Sequence, residues 1–165
     1  MNHHYYRKIR LLLIIGFLSL FLAGWATSRM AEAPSEAVDG SYVDKVISSG
    51  STLAIGATTI DLEVADTIPE KIKGLSGRES LPVNTGLLFV FDKPEFHQFW
   101  MKDMLFSIDI IWISADYKVV DITKNASPET FPEFFTPREK AQYVLEVNAG
   151  FSDKKNIKIG DSVIF

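Results

Sequence analysis

Six residues carry most of the chemical potential of this chain: Arg78, Trp100, Lys102, Asp103, Asp109 and Glu146. Arg78 ends the segment KGLSGR, and a guanidinium there can grip a carboxylate or phosphate through two parallel hydrogen bonds. The plainer account is an internal ion pair, to Asp103, Asp109 or Glu146, that locks a helix onto a sheet. Lys102 and Asp103 form the charged centre of WMKDM, with Trp100, Met101, Met104 and Phe106 around them. Two exposed charges at a turn need no explanation, whereas their apolar and aromatic flanks do. As a site, this would be an aromatic-lined cleft with Trp100 as a stacking platform for a sugar or other flat ligand. As scaffold, it is a charged hairpin tip with Trp100 in the core.

Asp109 and Glu146 each interrupt an apolar run, in IDIIWI and YVLEV. Pointing outward from half-buried strands is the simplest account of both. If buried, each needs an ion-pair or hydrogen-bond partner. Two carboxylates brought close together would permit acid–base work of the glycosidase kind. Their separation along the chain does not itself place them together.

Several chemistries are excluded. The chain has no cysteine, which removes disulfides, thiolate metal sites, thiol catalysis and a lipid-modified cysteine anchor. His97 is the one histidine outside the N-terminal tail, so a histidine-rich metal site is ruled out, and no EF-hand loop pattern is present. There is no Gly-x-Ser-x-Gly elbow, phosphate loop or dinucleotide fingerprint. No cofactor is expected.

The elements that must position these residues are short. Leu53 and Ile55, then Ile60, Leu62 and Val64, alternate with polar neighbours around Gly56 and predict a hairpin. IPEKIKGLSGRESLP predicts one short helix, with Pro69 near its start and its end near Gly74 to Gly77. GLLFVF (86–91) is wholly apolar, as a central strand would be. HQFWM (97–101) and IDIIWI (108–113) flank the Lys102–Asp103 turn, and residues 118–122 follow as another strand. Residues 125–140 hold three prolines and three phenylalanines, which predicts a loop with its own apolar anchors, placed to cover the open end of the sheet or to act as a lid over the Trp100 cleft. Residues 142–147 read as a strand, 149–156 as a turn or short helix, and 162–165 as a closing strand. The fold class is α+β: a strongly curved sheet or partial barrel of short, mainly antiparallel strands with one or two short helices.

KGLSGRESLP, GLLFVF, FWMKDMLFSIDIIWI and YVLEVNAG with IGDSVIF occur in the order and spacing of a known family. The chain resembles the domain of unknown function 192 (DUF192) over about residues 58–165. Two departures are visible: Leu87 stands where methionine is usual, and Ser107-Ile108 replaces Pro-Leu before Asp109. The resemblance implies a compact β-rich domain of the kind found in small, often exported prokaryotic proteins. It implies no established activity.

The N-terminus predicts an address. Arg7, Lys8 and Arg10 precede the uncharged run 11–28, which as a helix would span roughly 27 Å, slightly short of a ~30 Å hydrocarbon core. Residues 1–28 therefore read as a signal peptide or a membrane anchor, 29–51 as a linker and 52–165 as the folded domain. Either way the domain is expected outside the cytoplasm, secreted or periplasmic, or tethered to the cytoplasmic membrane by residues 11–28. Residues 1–26 hold three of the 17 basic residues and none of the 21 acidic ones, so the remainder carries about −7, which argues against nucleic acid and anionic membrane surfaces as partners. The leading functional expectation is a non-enzymatic binding or interaction module of the cell envelope, for a small ligand or an envelope protein. Its cleft would be built from Arg78, Trp100, Lys102, Asp103 and Asp109. Alternatives are a hydrolase of an envelope carbohydrate or ester using Asp103, Asp109 or Glu146, and an assembly partner docking through the Phe-rich loop.

Overall fold

A computed structural model describes residues 51–165. The expected signal peptide or membrane anchor (1–28) and nearly all of the expected linker (29–51) lie outside the described residues. Among the described residues no helix is long and apolar enough to cross a membrane.

The described residues form nine strands and two short α-helices. They are β1 (Thr52–Ile55), β2 (Thr58–Ala65), α1 (Ile68–Lys73), β3 (Thr85–Glu95), β4 (Phe99–Trp100), β5 (Ile108–Ile113), β6 (Val119–Ala126), β7 (Phe134–Phe135), β8 (Ala141–Asn148), α2 (Phe151–Lys154) and β9 (Val163–Ile164). Seven strands make one curled sheet in the order β6-β5-β8-β3-β2-β1-β9, and β4 and β7 form a separate pair. Every pairing is antiparallel except β2 with β3, which are joined through α1. The sheet curls far enough for its two edges to touch. Gly160 N–H donates to Val119 O at 2.8 Å, Val119 N–H to Asp161 O at 3.0 Å, and Val163 N–H to Tyr117 O at 2.8 Å. Joining the edges there satisfies backbone groups that an open sheet would leave as a template for another chain. The expected α+β class with a curved, half-barrel sheet is the one observed.

The apolar runs follow from two cores, one on each face. Leu88, Ile111, Ile113, Leu145 and Val147 point into the concave core with Leu53, Ile60 and Val163. Leu87, Phe89, Ile108, Ile110, Trp112 and Val144 point to the other face, where Leu75, Leu81, Met101 and Met104 cover them. Strands buried on both faces lose the apolar–polar alternation, which is why GLLFVF and IDIIWI are almost unbroken. Burying all six residues of β5 requires that its one charge, Asp109, be satisfied inside the protein.

The helix α1 starts with a capping box: Thr67 and Glu70 exchange side-chain-to-backbone hydrogen bonds. It stops at Gly74, whose φ of +48° is a conformation that side-chain-bearing residues rarely adopt. Ile68 and Ile72 on this helix are left exposed, at 74% and 77%.

One pairing differs from the sequence reading. HQFWM does not run alongside IDIIWI as the other arm of a hairpin; β4 pairs with β7, placing Phe99 opposite Phe135 and Trp100 opposite Phe134. Met101 and Met104 are buried in the outer core, and Met104 N–H donates to Met101 O at 3.3 Å. The chain thus crosses over the face of the sheet instead of extending it. The Phe-rich segment supplies a strand as well as a 3-10 turn at Pro128–Thr130.

Candidate functional site

Strand register places Glu63 of β2, Leu87 of β3, Glu146 of β8 and Ile110 of β5 side by side. Paired residues project from the same face, so both glutamates stand on the outer face with one leucine between them. Two strand spacings, about 10 Å, separate their backbones. Arg78 reaches this row from the segment after α1. It binds Glu63 with two hydrogen bonds, Nη1 to Oε1 at 2.8 Å and Nη2 to Oε2 at 2.5 Å. This fork holds the Glu63 carboxyl below the usual range and raises the guanidinium further. The Arg78 partner is therefore Glu63 rather than Asp103, Asp109 or Glu146.

Glu146 is left without such a partner. It is 5% exposed, and its Oε2 accepts no hydrogen bond. Burial pushes its carboxyl up to about 8, opposed by the positive charge of Arg78. At neutral pH the group is mostly a neutral acid with an O–H to donate.

Above Glu146 lies a cavity of about 240 Å³. Its walls are apolar: Phe89, Phe91 and Phe99 at the sheet, Trp100 and Met104 from the crossing segment, and Ile68, Ile72 and Leu75 from the helix region. Lys71, Lys73, Ser76 and Gln98 supply the other polar lining. The aromatic walls hold one another. Phe99 packs edge-on against Phe89 at 4.8 Å and Trp112 at 5.3 Å between centroids. The Lys71 ammonium sits 5.1 Å from the Phe91 centroid, and His97 stacks on the same ring at 3.6 Å, where burial lowers the imidazole pKa. Gly74 helps shape the cavity: a Cβ there would meet Phe89 at 3.2 Å and Glu146 Oε2 at 4.0 Å.

The six sequence candidates part company here. Glu146 and Trp100 line the cavity, and Arg78 stands beside its floor. Lys102 and Asp103 are exposed at the turn and do not line it. Their main chain does the joining: Lys102 O accepts from Ser76 Oγ at 2.9 Å, and Asp103 O from Gly77 N–H at 2.8 Å. Lys102 also lies 5.7 Å from the Trp100 centroid. Trp100, 44% exposed, is neither in the core nor bare, because Phe134 stacks on it at 5.2 Å.

Asp109 faces the opposite side of the sheet. Its cross-strand neighbour is Val147 of the concave core, whereas Glu146 faces Ile110. Asp109 is fully buried and accepts three backbone N–H groups, from Asn125 at 2.9 Å, Gly150 at 3.1 Å and Ser152 at 2.9 Å. It ties the end of β6 to the start of α2. Asp109 and Glu146 do not share a cleft. Among the described residues no group of three or more acidic or histidine side chains is placed to hold a metal ion.

The helix residues Ile68, Lys71 and Ile72 and the sheet residue Phe91 were not singled out from the sequence. The available signal was α1 itself, too short to bury an apolar stripe yet carrying two isoleucines four residues apart.

Residues 51–165 match the family model DUF192, described as an uncharacterized ACR. UPF0127 proteins of Thermococcus sibiricus and Thermococcus gammatolerans are each 32% identical over 107 residues, 62% of this chain and 64% of theirs. The chain thus spans a little under two thirds of the length of these curated relatives. A crystal structure of a protein of unknown function from Novosphingobium aromaticivorans is 29% identical, with a TM-score of 0.66 over 70% of this chain and 84% of that one. With a matched segment that takes in the whole curled sheet, the cavity, Asp109 and Glu146, this chain belongs to the DUF192 family.

Proposed function

We propose that the domain is a binding module whose ligand site is the cavity above Glu146, and that it works outside the cytoplasm, delivered there by the basic and apolar N-terminal segment. One observation carries the binding reading: a buried carboxyl with an unpartnered oxygen lies on the floor of an aromatic-walled cavity. Burying such a group without a partner costs about 1–3 kcal/mol, a cost that scaffold alone gives no reason to keep. A ligand that hydrogen-bonds Glu146 and fills the apolar walls removes it. The cavity holds the volume of about eight waters, which suits a single ring or a short chain. Asp109 and Glu146 face opposite sides of the sheet, which counts against a hydrolase that pairs those two carboxylates. A protein partner remains a second reading, favoured by Phe131 and Phe134, which are 45% and 53% exposed beside Trp100.

A thermal-shift screen of the chain against small aromatic and aliphatic acids, amides and amines tests this. A compound at about 100 times its dissociation constant adds roughly 2.7 kcal/mol and raises Tm by several degrees. The reading expects hits that Trp100→Ala and Ile72→Ala weaken and Lys102→Ala leaves alone. An absence of hits, or hits indifferent to Trp100 and Ile72, would move the function off this cavity.

A further inference from the structure

We propose that the cavity takes a small apolar monocarboxylic acid, its carboxylate accepting a hydrogen bond from the Glu146 carboxyl and its body lying against Phe91, Phe99, Trp100 and Ile72. This rests on the cavity being a ligand site and names the chemistry of its occupant. Electrostatics selects the ligand. The charged groups in the lining besides Glu146 are Lys71 and Lys73; Arg78 stands beside Glu146 and is taken up by Glu63, and His97, stacked on Phe91, has its imidazole pKa lowered by burial. Apart from Glu146 itself, the surroundings are therefore net positive. A cationic ligand would face Lys71, Lys73 and Arg78, and would need Glu146 ionised in a place where burial opposes ionisation. An anionic ligand is drawn in by the same lysines. It meets Glu146 in the form the site favours, a neutral acid with an O–H aimed at no protein partner. An O–H···O⁻ bond between a carboxyl and a carboxylate is charge-assisted and short, about 2.5–2.7 Å, and roughly twice as strong as a neutral one. No bond is made or broken; one proton is shared between two carboxyl groups. Phe91, Phe99, Trp100 and Ile72 in the lining suit a ring or hydrocarbon chain for the rest of the molecule, and Glu146 is the one carboxyl of the lining placed to receive an acid group.

Three probes of nearly one shape separate the possibilities: sodium benzoate, benzamide and benzylammonium chloride. Each is titrated calorimetrically into the full chain and into Glu146→Gln, at pH 6.5 and pH 9, in buffers of differing ionisation enthalpy. The proposal expects benzoate to bind at pH 6.5 at least tenfold tighter than benzylammonium. Benzoate affinity should fall roughly tenfold for each pH unit above about 8, with close to one proton taken up per benzoate at pH 9. Glu146→Gln keeps an N–H donor, so it should retain benzoate binding within several-fold and lose the pH dependence. Benzamide or benzylammonium as the tightest probe overturns the acid, while leaving the cavity a binding site. A pH dependence unchanged in Glu146→Gln overturns the role given to that residue. Failure of all three probes at millimolar concentration, with the protein folded, overturns the binding reading itself.

Discussion

Asp109 and Glu146 interrupt neighbouring strands, are both buried, and differ in every other respect. Asp109 on the concave face has three backbone N–H donors and no route to solvent. Glu146 on the outer face has an oxygen with no partner and a cavity in front of it. The first is a carboxyl that the fold is built around. The second is a polar group that the fold tolerates. Burial alone does not tell the two carboxyls apart; the satisfaction of their buried oxygens does.

Removing each carboxyl in turn should have different consequences. Asp109→Ala strands three backbone donors in the interior, and urea unfolding should show a loss of about 3–5 kcal/mol. Should Asp109→Ala cost under 1 kcal/mol, its role as the tie between β6 and α2 would be wrong.

Glu146 should behave in the opposite sense, and its effect should depend on pH. Its folded pKa of about 8 lies above the ordinary 4.5, so the folded state holds a proton that the unfolded chain releases between those values. The stability this contributes is complete below pH 4.5, declines as pH rises toward 8, and is gone above it. From pH 5 to pH 9 that amounts to a few kcal/mol, and Glu146→Gln should abolish that component of the decline. Chemical denaturation of both proteins across this range checks it; parallel curves would mean Glu146 titrates normally.

Arg78→Ala links the two sides of the cavity floor. Its pair with Glu63 is bidentate but about a third exposed, so the stability loss should be about 1 kcal/mol. The same change removes the cation that opposes the effect of burial on Glu146, and the Glu146 midpoint should rise further. A midpoint that falls instead would mean Arg78 does not act on Glu146. Smallest of all, Lys102→Ala should change stability by no more than about 0.5 kcal/mol, because the turn is held by main-chain groups. A loss above 1 kcal/mol would restore the charged turn as a structural element.

The sequence made the strands legible because uninterrupted apolar runs of five or six residues have few other uses in a domain of this size. The helix was legible from Pro69 and Gly74, and the closing strand from its position after a turn. The faces were not. Asp109 and Glu146 look alike in the sequence, and only the β5–β8 register, which sets Asp109 opposite Val147 and Ile110 opposite Glu146, sends them to different sides. The pairing of β4 with β7 joins segments about 35 residues apart, through contacts that no local pattern encodes. The attention drawn to Lys102 and Asp103 reflects the same difficulty, since the aromatics flanking them serve the outer core and the cavity wall while the two charges stay in water.

The chemistry of the cavity turns on the state of Glu146, which a carbon-13 titration of its side-chain carboxyl reads, assigned by comparison with Glu146→Gln. A midpoint near 8 is the expected result. A midpoint near 4.5 would mean that the carboxyl is solvated or paired in solution, and would contradict the cavity floor as described.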